Sequence, residues 1–105
     1  MVIQEKYDTR RIGDIMDWET YREWTRTTAV YPKEKEEEYL MIGLANEVGE
    51  VLGKYKKQVR GDGDKYKEIR SELGDVMWYI ARLFDHYDIK PVSYTHLTLP
   101  TNREV

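Results

Sequence analysis

Cysteine is missing altogether from these 105 residues, which rules out a disulfide framework and a thiolate zinc site alike. Long apolar runs are missing as well; a membrane-crossing helix needs about 18 or more apolar residues in succession, and no stretch approaches that. The amino-terminal residues, MVIQEKYDTRRIGD, lack the apolar centre of a signal peptide. Together these absences predict a soluble, cytoplasmic chain with no membrane partner. Nor is there a strong excess of one charge: the formal net charge is −3, and the 17 basic residues are spread along the chain rather than gathered into a patch. No nucleic-acid groove is therefore expected, and only local contacts to phosphate remain open to the basic residues. A chain this short buries only roughly 60–65% of its extended surface when it folds alone, so association with a second copy would help it.

What is present is helical periodicity. From Asp14 to about Thr28, Ile15, Trp18, Tyr21, Trp24 and Thr28 recur at spacings of three and four, the pattern of an amphipathic helix for which Asp14 is the expected cap. Pro32 interrupts the chain, and the charged run from Lys33 to Glu38 suits a solvated linker or an acidic first turn. From about Glu36 to Val59 the stripe Leu40, Leu44, Val48, Val51, Leu52 and Tyr55 predicts a second helix of about six turns. Gly61 and Gly63 should stop it. A third helix starting near Asp64 carries Ile69, Leu73, Val76, Met77, Ile80, Leu83 and Phe84 to about Tyr87. No strand is expected before Pro91. The fold class is all-α, an antiparallel helical bundle with the second and third helices as neighbours.

After Lys90 the character changes to PVSYTHLTLPTNREV, which abandons the helical period. The string VSYTHLTLPT is similar to the translated end of a transposon-based sequencing adapter. Residues 1–90 are accordingly read as the helical domain and 91–105 as a non-native tail without function, on a chain truncated after about Lys90.

Two short stretches carry the chemistry. Glu47-Val-Gly-Glu-Val51 and Glu72-Leu-Gly-Asp-Val76 each place two acids three residues apart, and in a helix such positions project from nearly one face. The surroundings match too: Leu44-x-x-Glu47-Val48-Gly49-Glu50-Val51 parallels Ile69-x-x-Glu72-Leu73-Gly74-Asp75-Val76. Antiparallel packing would gather four carboxylates, which repel unless cations sit among them. All-oxygen ligands favour Mg²⁺, with Mn²⁺ as the alternative, and Mg²⁺ keeps positions open for phosphates. Gly49 and Gly74 are expected where a backbone or ligand comes close. The blander reading is that all four acids are solvated surface residues, helped by pairs such as Glu50 with Lys54. The Glu-x-x-His spacing of a di-iron centre does not occur, and His86 has no evident partner, which makes it a helix-end surface residue. The loop RGDGDK is a turn rather than a calcium site, because it lacks the later ligands. Trp78 is expected in the core or an interface.

At this point the chain resembles a family. Glu-x-x-Glu, a spacer of twenty-one residues and Glu-x-x-Asp is similar to the signature of the all-α nucleoside triphosphate pyrophosphohydrolases, MazG-like proteins in particular. The likeness extends through YREWTRTTAVYP, GLANEVGEVLGKYKK and ELGDVMWYIARL, covering about Tyr21 to Ile89. It implies Mg²⁺-dependent cleavage of a nucleoside triphosphate between its α and β phosphates, giving the monophosphate and pyrophosphate, in a phage or bacterial setting. It implies Glu47, Glu50, Glu72 and Asp75 as metal ligands, with Glu47 or Glu50 taking a proton from water. Lys54, Lys57 and Arg60 are then candidates for phosphate contacts, against a plain solubilising role. Trp24 or Tyr21 could stack on the base, against core packing, and Tyr79, one turn below Asp75, could touch the ligand. The resemblance also implies a homodimer or homotetramer completing a four-helix bundle. The competing expectation is a non-catalytic helical module that senses nucleotides or binds a protein partner.

Overall fold

The computed structural model describes residues 17–90. The expected tail, 91–105, the first expected helix's Ile15 and its expected cap Asp14 lie outside them. Three helices account for most of what is described: α1 (Trp18–Thr27), α2 (Glu36–Arg60) and α3 (Tyr66–His86). This is the all-α class that the periodicity predicts.

Each boundary has a local cause. Helix α1 is capped by Asp17 rather than Asp14, its Oδ1 accepting the Thr20 backbone N–H at 2.8 Å. After Pro32 a 3-10 turn (Lys33–Lys35) feeds α2, whose first turn is acidic at Glu36, Glu37 and Glu38, the charge favoured at a helix N-terminus. Gly61 ends α2 in the left-handed region at φ 96°, which a residue without Cβ adopts at little cost. Asp64 does act at the start of α3, accepting the Tyr66 N–H at 3.0 Å, although the helix itself begins two residues later than expected. Gln58 closes the turn from the other side by accepting the Lys65 N–H at 2.8 Å.

Helices α2 and α3 run antiparallel in a register visible from their contacts. Glu36 at the start of α2 meets His86 at the end of α3, with 2.7 Å between Oε1 and Nδ1. His86 thus has a partner, which its sequence setting hides because Glu36 is fifty residues away. Seven residues along α2, Gly43 faces Tyr79, seven back along α3. Four further, Glu47 comes level with Asp75.

Helix α1 packs against α3 through a polar lock. Asp85 accepts from Arg26 at 3.0 and 2.7 Å and from Arg82 Nη2 at 2.8 Å, while Arg82 Nη1 donates to Thr25 Oγ1 at 3.0 Å. Trp78 Nε1 donates to Thr28 Oγ1 at 2.7 Å. The cationic partners hold the Asp85 carboxyl well below the usual carboxylate range, the hydrogen bond from Arg26 first among them.

The core is confined to this end: Leu40, Trp78, Tyr79 and Leu83, with Trp24, Ala29, Tyr31 and Leu44 packed on it. Here the sequence reading needs correcting. Much of its expected core stripe is exposed, including Val48, Leu52 and Tyr55 on α2 and Leu73 and Met77 on α3. Periodicity finds the apolar side of a helix but not which arc of it has a partner: Leu73 and Met77 lie on the side of α3 turned away from the face that holds α1, and Val48 shares the exposed arc of Met41 on α2.

Candidate metal centre

The register of the hairpin brings the acids together. Glu47, Glu72 and Asp75 each offer a carboxylate oxygen within 4.8 Å of the others. Asp75 is fully buried and Glu47 is 3% exposed, so two of the three charges sit in a poorly hydrated place. One Glu47 oxygen, Oε1, is buried without a hydrogen-bond partner among the described residues. Burial, and then the neighbouring Asp75 and Glu72 carboxylates, push the Glu47 carboxyl up to about 7. Without a cation the cluster therefore holds a proton on Glu47 near neutrality. An all-oxygen set with a stranded acceptor suits a hard divalent cation, which would replace that proton.

Glu50 stands apart. Three residues beyond Glu47 it reaches the level of Glu72, but its side chain is exposed and it is not among the clustered acids. It lines a shallow groove of about 410 Å³ with Ala45, Asn46, Gly49, Gly53, Lys54 and Lys57. Lys54 is half-buried and Lys57 exposed, so two of the three expected phosphate contacts border the same groove as Glu50, whereas the third, Arg60, is not among its lining and pairs with Asp62. Gly49 opens on free space, with no described atom near a would-be Cβ, whereas Gly74 is buried.

The aromatic candidates are placed differently. Tyr21 is fully buried, and Trp24 packs beside it with 5.8 Å between ring centroids, both in the core layer of α1. Tyr79 is 3% exposed, its ring edge-on to Trp78 at 5.0 Å and tilted to Tyr39 at 6.4 Å. Burial, the Tyr39 phenol and the Glu47 and Asp75 carboxylates all raise its pKa. Tyr79 therefore adjoins the acidic cluster from the core side.

Nothing in the sequence reading singles out Gly43, yet a Cβ there would lie 2.2 Å from Tyr79 Cε1. A glycine one turn before Glu47, in a helix that did not need one, was the usable signal. Arg82 and Asp85 pair with each other on α3, but nothing in the sequence marks them, because their further partners, Thr25 and Arg26, lie on α1.

Among known proteins, the chain is similar to the Gene 37 protein of Mycobacterium phage L5, 41% identical over 56 residues. That match takes in 49% of this chain and 49% of the phage protein, so the chain spans about half the length of the curated relative it matches. No family model and no solved structure matches the chain.

Proposed function

We propose that this protein is a divalent-metal-dependent nucleoside triphosphate pyrophosphohydrolase of the MazG-like kind. The observation that carries the reading is the convergence of Glu47, Glu72 and Asp75, from two helices, with one buried Glu47 oxygen left without a donor. Those residues would hold Mg²⁺ or Mn²⁺. When bound, the ion would offset phosphate charge and make a water more acidic. Water oxygen bonds to the α-phosphorus while the bond from that phosphorus to the oxygen bridging α and β breaks, and pyrophosphate leaves with the bridging oxygen. Glu50, exposed and outside the clustered three, would take the proton from water. Lys54 and Lys57, on the same groove, take up the charge of the β and γ phosphates.

The membrane side of the expectation rests on the helices: none among the described residues is long and apolar enough to cross a bilayer. Self-association is supported by an uncovered face. At 3.6 residues per turn, Met41, Val48, Leu52, Tyr55 and Val59 fall within about 60° of one another on α2, and all are exposed. On α3, Tyr66, Leu73 and Met77 form a second exposed stripe, turned away from the side that holds α1. The stripes repeat at the same interval as the acids, Met41 with Tyr66, Val48 with Leu73 and Leu52 with Met77. A two-helix layer of this kind, met by that of a second copy, makes a four-helix bundle.

Pyrophosphate release from a panel of deoxynucleoside triphosphates with Mg²⁺ tests the activity. Asp75→Asn and Glu50→Gln should each lower turnover by about 100-fold or more. The exposed, unclustered Glu50 favours one other reading, a metal-loaded module that binds nucleotide without hydrolysing it. Nucleotide binding with no pyrophosphate from the wild type would select that reading and defeat the hydrolase.

A further inference from the structure

The acidic cluster has two unlike ends. Toward the α2 C-terminus lie Glu50, Lys54 and Lys57, on an open groove that runs along α2 from Ala45 to Lys57 beside the three acids without being lined by them. Toward the core, one turn before Glu47, Gly43 faces α3 beside Leu44, and opposite Gly43 stands the Tyr79 ring. Tyr79 follows Asp75 by one helical turn, about 6 Å along the axis, and Gly43 precedes Glu47 by the same step. The four positions form the corners of a rectangle spanning the two helices, with carboxylates at one edge and a ring lying on bare backbone at the other.

That ring needs the glycine. An alanine methyl at 43 would fall 2.2, 2.5 and 2.9 Å from Tyr79 Cε1, Cζ and Cδ1, distances no real Cβ tolerates. The ring is no flexible tip: Tyr79 is buried, edge-on to Trp78 and beside Tyr39, which itself stacks on Tyr31 at 5.0 Å. By contrast a Cβ at Gly49 or Gly53 meets nothing within 4 Å. Of these three α2 glycines only Gly43 is required by packing. We propose that Tyr79, admitted by Gly43, is the positioning residue of the acidic site: it closes the core-side end, so that water and a phosphate-bearing ligand reach the carboxylates only from the Glu50–Lys54 end.

The proposal rests on the reading that Glu47, Glu72 and Asp75 bind a divalent metal, and one experiment separates the two. Tb³⁺ is bound to the full chain, its affinity is taken from emission sensitised by tyrosine and tryptophan, and its coordinated water is counted from lifetimes in H₂O and D₂O; Mn²⁺ affinity is measured alongside. Wild type should bind both ions, and Glu47→Gln should lose them. Gly43→Ala should weaken binding by about tenfold or more, the range seen when groups supporting a metal site are lost. Gly53→Ala should match wild type. Tyr79→Ala should admit about one further water to the bound Tb³⁺, because the surroundings of a metal control its access to solvent. In the Tyr79→Ala background, Gly43→Ala should cost nothing further.

Wild type that binds neither ion ends the metal reading and this proposal with it. Wild type that binds, with the same hydration count in Tyr79→Ala, ends the proposal alone. So does a Gly43→Ala protein that folds by circular dichroism and binds Mn²⁺ as wild type does. Should Gly43→Ala fail to fold, the hydration count of Tyr79→Ala decides.

Discussion

The two halves of the α2/α3 hairpin have the same local pattern and opposite fates. In the half beside α1, Leu40, Trp78, Tyr79 and Leu83 are buried, and Arg22, Arg82 and Asp85 lock the third helix down. In the half toward Gly61, Leu52 is 60% exposed, Val59 70% and Leu73 50%. The acids sit at the boundary between the two. Glu47 and Asp75 share the dryness of the packed half, and Glu50 shares the exposure of the bare one. One motif duplicated in sequence therefore becomes a buried acidic cluster with one exposed acid beside it.

The contrast can be broken at its strong end first. Leu40→Ala should cost about 4 kcal/mol in denaturant unfolding, the size expected for a fully buried leucine. Asp85→Ala strands the buried Arg82 guanidinium and should cost about 3 kcal/mol, with α1 loosening first in hydrogen exchange. An Asp85→Ala protein as stable as wild type would mean that the lock only decorates packing already sufficient.

The pH response sharpens the dry side. Because the folded-state pKa of Glu47 lies above its unfolded value, the metal-free fold binds the extra proton. Stability from this group is complete below about pH 4.5 and is lost as pH rises through 7. The loss amounts to at most roughly 3 kcal/mol, and Glu47→Gln should flatten it in melts taken from pH 5 to pH 8. On the proposed metal reading a divalent ion would compete with the same proton, so Mn²⁺ affinity should fall below about pH 7. Melts that rise with pH in metal-free buffer would contradict the buried placement of Glu47.

At the weak end, Leu52→Ala should change monomer stability by no more than about 0.5 kcal/mol, as for an ordinary exposed site. A larger cost that grows with protein concentration would show that a second copy covers the bare half. Sedimentation equilibrium on wild type and Leu52→Asp makes the same distinction directly.

Much of this was legible in the residues. The apolar spacing marks all three helices, Gly61 marks the stop between α2 and α3, and the paired Glu-x-x-Glu and Glu-x-x-Asp mark which faces meet. The extent of the core was not legible, since Leu40 and Val48 belong to one apolar stripe but stand about 80° apart around α2, and only the Leu40 side meets the packed layer, while Val48 shares the exposed arc of Met41. The exclusion of Glu50 is not legible in spacing, since Glu47 and Glu50 stand about 60° apart as Glu72 and Asp75 do, yet only the second pair enters the cluster whole. Gly43 and Tyr79 are thirty-six residues apart, so a glycine inside a helix flags a close approach but not the ring that makes it.

The hairpin is fastened from its open end, where Glu36 meets His86 and Tyr31 donates to Glu36 at 2.6 Å. The loop around Gly61–Asp64 is thus a tether rather than a ruler: lengthening it by a few residues, or splicing a foreign peptide between Asp62 and Asp64, leaves the carboxylates where they are. The natural place to hang a label or a fused domain on this molecule is the tip of its longest arm.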